Sequence, residues 1–532
     1  MEKDLFPGQP LKWLIVSKKG PLHSLHDLIS ALTAEEKATV RTYLGLFIEK
    51  GRLSISKSIR LFDEVAAIGS GPVNEEAIEL AVYNKINPET FYRQVRRLRD
   101  KILEALIIDV NVEREGAYPE KTRVNIAVRK QITQGQILQN RGLRKHATVL
   151  FEKVIEQCKK FELYDELLIA LRLQIKQQSL DEGGKQLAAL HKQYEKFDYC
   201  KSAVMRAEIL HRSIIAHTDF YAGQAVPQKT VEEALSELRE DFRKTRSSQI
   251  GNYYFHIEAQ YYQQQNDYRS ARKSLRSNQR LLENSIAINT PQNIGATLFN
   301  LADNDLFLYQ FERSYETSGK AIALFKKGSF NFEQCAELLF YAKYYLGEYD
   351  VAADTILQLL KEVHPSGSFR KGKRSYLLAN AYFMMEDFGT ALRYLNLLNP
   401  IEADKDGWNL GIKMLVIMTL IELNEFDEAT AKTDTFRKFI ENGASVSPRA
   451  ATIFQLLKSL SYNGYDFKAL YQKEKESVEM LADAGSDCAW QIKSPEMVIF
   501  HQWLFAKAFH QPFRMKLAAP ATKQLLAVTA NS

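Results

Sequence analysis

The sequence predicts an all-α protein: a small N-terminal helical domain followed by a long array of antiparallel helix pairs. Three observations predict it. Apolar residues recur at steps of three and four from Leu22 onward, the period of one helix face. Gly and Pro are scarce, 25 and 14 in 532 residues, which argues against a β-sandwich, a collagen-like rod or a disordered linker. A short turn pattern, an aromatic followed three residues on by a small residue, returns at a near-constant period.

Residues 1–20, with Pro7, Gly8, Pro10 and Gly20, read as an irregular arm, and 21–115 as the helical domain. Leu25, Leu28, Ile29 and Leu32 mark the first helix face. Thr33 with Glu36 is a capping box that starts a second helix carrying Val40, Leu44 and Phe47. Leu61, Phe62, Val65 and Ile68 mark a third, ended by Gly69 and Gly71-Pro72. Asn74 before Glu75 and Glu76 starts a fourth. Asn87-Pro88-Glu89 starts a fifth, with Asn as N-cap and Pro at the first helical position.

The array spans 116–510, with a tail at 511–532. The turn pattern falls at Tyr268–Ala271, Phe311–Ser314, Tyr349–Ala352, Phe388–Ala391 and Phe426–Ala429, spaced 43, 38, 39 and 38 residues apart. An aromatic filling the gap between two helices, with a small residue where their backbones approach, accounts for the pattern. One such pair cannot bury its apolar face alone, so neighbours must stack. These units resemble the tetratricopeptide repeat (TPR) superfamily, most clearly over 253–440. Ala259, Tyr262, Ala271 and Leu275 fill the family's small, aromatic, small and apolar positions, as do Ala379, Tyr382, Ala391 and Leu395. The spacing exceeds the 34-residue family repeat, so helices are longer or loops are inserted, and the resemblance is divergent.

The resemblance implies a TPR-like α-solenoid with a concave groove lined by the first helix of each pair. In the family's register the groove side chains are Tyr253, His256 and Gln260, then Phe299 and Asp303, then Glu337 and Tyr341, then Tyr376 and Asn380. Aromatic and amide groups there suit a protein or peptide segment, giving contact area and backbone hydrogen bonds at low entropy cost. The expected role is a non-enzymatic, cytoplasmic binding scaffold, with no cofactor and no metal.

A second reading rests on the helix after Asn87. It resembles the recognition helix of a helix-turn-helix, with Arg93, Arg96, Arg97 and Arg99 as candidate phosphate or base contacts. Placed before a TPR-like array, such a domain resembles peptide-sensing transcription regulators, and nucleic acid would then be a partner.

Charge does not decide between the two. The net charge is +6, yet residues 121–160 carry ten basic and two acidic side chains, a local +8. A second basic run, Arg370-Lys371-Gly372-Lys373-Arg374, is placed at a turn. Such clusters meet polyanions in some proteins and solvent in most. The apolar runs, Trp13–Val16 and Met414–Ile421, are too short for a signal peptide or a membrane span. Cys158, Cys200, Cys335 and Cys488 lie far apart, which excludes a C-x-x-C motif. No complete catalytic motif is present. Gly183-Gly184-Lys185 lacks the rest of a P-loop, Ser54-x-x-Lys57 lacks its partner motifs, and the pairs His23/His26 and His211/His217 lack a third metal ligand.

Overall fold

The computed structural model describes residues 20–46, 57–69, 71–84, 86–108, 118–177, 184–220, 227–363, 368–397, 407–441 and 446–517. The expected arm before Gly20, Ser54, Gly183 and the tail beyond Leu517 lie outside these residues. The described residues form 24 helices and no strand. The chain divides into Met1–Tyr118 and Pro119–Ser532.

The first unit holds α1 (Pro21–Ala31), α2 (Ala34–Gly45), α3 (Lys57–Ala67), α4 (Glu75–Tyr83) and α5 (Pro88–Ile108). Its caps form as the sequence dictates. Glu36 N–H donates to Thr33 Oγ1 at 3.2 Å while Thr33 N–H donates to the Glu36 carboxylate at 2.8 Å. Asn74 accepts from Ala77 N–H at 3.2 Å, and Asn87 from Thr90 N–H at 3.3 Å. Leu22, Leu25, Ile29, Val40, Leu44, Leu61, Phe62 and Val65 meet Phe91, Val95, Leu98 and Ile102 of α5 in one core. α4 packs on α3, whereas α5 lies across α1, α2 and α3.

The second unit is a run of helix pairs: α6 (Glu120–Asn140), α7 (Arg144–Phe161), α8 (Tyr164–Gln177), α9 (Gly184–Phe220) and α10 (Gln228–Thr245), then α11 (Ser248–Gln264) with α12 (Tyr268–Asn284), α13 (Pro291–Phe307) with α14 (Phe311–Ile322), α15 (Phe330–Tyr345) with α16 (Tyr349–Glu362), α17 (Ser368–Met384) with α18 (Phe388–Asn396), and α19 (Trp408–Glu422) with α20 (Phe426–Glu441). The last part is α21 (Pro448–Tyr462), α22 (Phe467–Lys473), α23 (Lys475–Ala482) and α24 (Phe500–Ala508). Each helix packs on the next in sequence. First helices also lie side by side, α9 on α11, α13 on α15 and α17 on α19.

Each aromatic of the turn pattern begins a second helix, and each small residue three on (Ala271, Ser314, Ala352, Ala391, Ala429) is fully buried. The backbone shows how the turn closes. The residue two before the aromatic is left-handed, with φ of 59° at Asn266, 58° at Tyr309, 82° at Gly347, 61° at Glu386 and 60° at Asn424. The next N–H then returns to a carbonyl of the first helix, as from Asp267 to Tyr262 at 2.9 Å and from Glu425 to Leu420 at 2.9 Å. Asp267 and Asp387 cap the second helix through Ser270 and Thr390 N–H, both at 3.0 Å. The aromatics are less enclosed than the small residues. Tyr268 stacks on Phe307 at 4.6 Å, and Phe426, 39% exposed, on Tyr465 at 4.6 Å. The fully buried element is the small side chain.

The same turn occurs twice more, with left-handed Gly142 and Glu162 before α7 and α8, and a variant with two left-handed residues, Gly464 and Tyr465, precedes α22, where Tyr465 N–H returns to the Leu460 carbonyl at 3.0 Å. After Glu162 and Tyr465 the small residue is replaced by buried Leu167 and Leu470, which hid these copies from the pattern. The basic run at Arg370–Arg374 lies inside α17, not at a turn. Arg370 and Arg374 reach the Glu333 carboxylate at 3.2 and 2.8 Å, and Lys373 reaches Glu337 at 2.6 Å. That charge serves the contact between α15 and α17.

Candidate functional site

The first helices carry the side chains expected to line a groove, and a segment of the same chain lies against them. Between α23 and α24 the chain runs without regular structure from Asp483 to Ile499. This strap crosses five first helices. Lys493 pairs with Asp303 of α13 at 2.6 Å, and its backbone N–H donates to the Tyr345 hydroxyl of α15 at 3.0 Å. The Tyr376 hydroxyl of α17 donates to the Pro495 carbonyl at 2.5 Å. At α19 the strap lies so close that a Cβ on Gly411 would stand 2.5 Å from the same carbonyl oxygen. At α21, Arg449 meets Glu496 at 2.5 and 2.8 Å and donates to the Leu481 and Cys488 carbonyls at 2.9 and 2.6 Å. Ile492 and Met497 are buried among Tyr341, Leu377 and Leu378, and the Trp490 ring stands edge-on to Tyr345 at 6.0 Å. Burial pushes the Tyr345 and Tyr376 hydroxyls above their ordinary range, so both stay protonated.

The strap covers three of the nine expected groove residues: Asp303 pairs with Lys493, Tyr376 bonds Pro495, and Tyr341 packs with Ile492 and Met497. Two more are engaged by α17 itself: Glu337 is buried against Lys373, and buried Asn380 donates through Nδ2 to the Tyr376 carbonyl at 2.8 Å. The remaining four sit on α11 and α13. Tyr253, Gln260 and Phe299 are half-buried there. The Tyr253 ring stands 5.1 Å from that of His211 of α9. His256 accepts or donates at both ring nitrogens, to Asn278 and Asn300, each at 3.2 Å. Desolvation, with His211 nearby, lowers its pKa to about 4, so the ring is neutral. His211 is also held below its usual range, by burial and then by Arg212. With half-buried Asn252 and Gln263, this end of the layer presents neutral amides and aromatic rings, and Asn304 is fully buried.

The four arginines of the second reading are exposed on α5, with Phe91, Val95, Leu98 and Ile102 facing inward. Arg93 pairs with Glu89 at 2.8 Å and Arg99 with Asp100 at 3.0 Å. Within the +8 segment, Arg129 pairs with Glu166 at 2.7 Å and Lys159 with Glu156 at 2.9 Å. Among the described residues no group of three His, Cys, Asp or Glu side chains is placed to hold a metal ion. His26 bonds to the Gly69 carbonyl at 2.9 Å, and His23 stands 3.7 Å from Glu75. All four cysteines are free and buried, and burial pushes Cys158 and Cys335 up to about 12. No helix among the described residues is long and apolar enough to cross a membrane.

The strap was not foreseeable from periodicity, because it has none. Its only sequence signal is the break in helical pattern at Asp483–Pro495, which holds Gly485 and Pro495.

No family model and no curated protein matches the chain. Several solved structures are similar to it. The apo form of RapI is 13% identical, with a TM-score of 0.41 over 67% of this chain and 86% of that one. A signal transduction ATPase (STAND protein) with a tetratricopeptide repeat sensor from Pyrococcus horikoshii is 14% identical, TM-score 0.28, over 88% and 66%. A chain of the APC/C hetero-tetramer Cut9–Hcn1 is 10% identical, TM-score 0.32, over 76% and 83%. None of the three carries an inference about this chain's ligand. The left-handed turns, the buried small residues and the sequential pairing make the chain a divergent TPR-like helical repeat.

Proposed function

We propose that this protein is a non-enzymatic scaffold that binds a protein or peptide segment along its first-helix layer. The observation that carries this reading is the strap. The layer already holds an irregular peptide, using tyrosine hydroxyls on its backbone and aromatic rings on its side chains. The chemistry that seats the strap at α13–α21 continues at α9–α13 as Tyr253, His256, Gln260 and Phe299. A partner segment lies across these side chains, with Tyr253 and Phe299 as its anchors.

The test compares wild type with Tyr253→Ala/Phe299→Ala as immobilised baits in extract from the source cell, with captured proteins quantified by mass spectrometry. Two aromatic anchors contribute about 3 kcal/mol together, so a true partner falls by roughly a hundredfold on the variant. It also rebinds wild type when purified. Identical captured sets, from baits that melt alike, would refute the proposal.

A further inference from the structure

Lys493 occupies a cation site on the first-helix layer. Its ammonium lies 2.6 Å from the Asp303 carboxylate, and 5.7 and 5.8 Å from the ring centres of Phe307 and Tyr341. A carboxylate beside two aromatic faces is a site for an alkylammonium or guanidinium group. Lys493 sits in the Gln491–Ser494 turn with φ of 60°, a left-handed conformation it shares with nine other non-glycine residues among the described ones.

The strap is also unevenly held. Glu496, Met497 and Val498 are buried, and Arg449 holds Glu496. At the Lys493 tip, by contrast, the Lys493 and Asp303 side chains keep 30% and 23% of their exposure. The tip reaches α13, where the strap-covered part of the layer meets Phe299 and the amide-lined part. A peptide lying on α11 and α13 meets this cation site first.

We propose that Asp303, Phe307 and Tyr341 form a recognition pocket for the lysine or arginine side chain of a bound peptide segment, and that Lys493 is a resident stand-in which the ligand's cation replaces. The inference rests on the peptide-binding reading above and adds a ligand class: a linear segment with a basic side chain. The strap tip then sets the affinity, because every ligand must displace Lys493 before its own cation can enter.

The probe is a fluorescein-labelled peptide of the strap sequence, Trp-Gln-Ile-Lys-Ser-Pro-Glu, titrated by anisotropy against the full chain. Lys493→Ala is expected to bind it at least tenfold tighter than wild type. Norleucine in place of the peptide's lysine, or Asp303→Asn in the Lys493→Ala background, is expected to remove that gain. Should Lys493→Ala melt early, Lys493→Gly, which suits the local φ, carries the same comparison. Equal binding to wild type and variant, binding that ignores the peptide's lysine, or no binding to any form overturns the proposal. If Tyr253→Ala/Phe299→Ala loses a partner while Lys493→Ala gains nothing, the pocket falls and the broader reading stands. If the double variant also keeps its full captured set, both fall.

Discussion

Replacing Arg449 with Met removes the main anchor of the strap while keeping an unbranched apolar side chain. The wild-type guanidinium is buried, makes two contacts to Glu496 at 2.5 and 2.8 Å, and satisfies the strap carbonyl of Cys488 and the α23 carbonyl of Leu481. The variant leaves the Glu496 carboxylate buried without its partner. Breaking a buried pair from one side costs about 3–5 kcal/mol. At about 4 kcal/mol, the opening constant of the strap rises by roughly three orders of magnitude. Glu496 Oε1 also accepts from Phe500 N–H at 2.9 Å, so exchange of that amide reports the opening directly. Its protection against hydrogen exchange is expected to fall about a thousandfold, with new trypsin cleavage after Lys493. Arg449→Met/Glu496→Met, which removes both charges, recovers most of the loss. A fall in protection of less than tenfold in the single variant would refute the claim that this pair fastens the strap.

Four further outcomes are expected. Glu162, at the end of α7, accepts from Ser247 Oγ at 2.6 Å, Ser248 N–H at 2.8 Å and Ser248 Oγ at 2.6 Å, closing the N-terminus of α11. Glu162→Ala therefore lowers stability by about 3 kcal/mol in urea unfolding, and a change under 1 kcal/mol contradicts this. Ala391 is fully buried where α17 meets α18, so Ala391→Trp overpacks the contact and costs at least ~3 kcal/mol; a wild-type melting curve would show that the repeat register is wrong. His256 and His501 have pKa values lowered to about 4, mainly by desolvation, against about 6.5 unfolded, so both are neutral when folded and stability is lost as pH falls from 6.5 towards 4. By pH 5 each contributes a loss of about 2 kcal/mol, and His256→Gln should remove its share of the difference between urea midpoints at pH 7.5 and 5.0; an unchanged difference refutes the assignment. Changing Arg93, Arg96 and Arg97 to Ala is expected to leave partner capture unchanged, whereas loss of binding to duplex DNA at low salt would favour the nucleic-acid reading over the scaffold.

The legible parts were those set by neighbours in sequence. Thr33, Asn74 and Asn87 announced helix starts because a cap bonds three residues away. Ala271 and Ala391 announced helix contacts because the turn that brings the helices together is itself local. The turn before α22 escaped because Leu470 stands where a small residue was sought, although Gly464 and Tyr465 make a related left-handed turn. The groove was legible only in outline. Tyr341 and Tyr376 lie on the expected helices, yet the segment that covers them comes from far along the chain. Tyr376 meets Pro495, 119 positions away, and Asp303 meets Lys493, 190 positions away. No periodicity encodes such a contact. The basic run at 370–374 looked like a surface cluster for the same reason: its acceptors, Glu333 and Glu337, lie one helix pair earlier.

Hydrogen exchange of the full chain with and without a captured, purified partner tests the central claim most directly. The account predicts new protection on α11 and α13, around Tyr253, His256 and Phe299, with a change at the Lys493 tip of the strap. Protection confined to the second helices α12 and α14, or to α5, would contradict it.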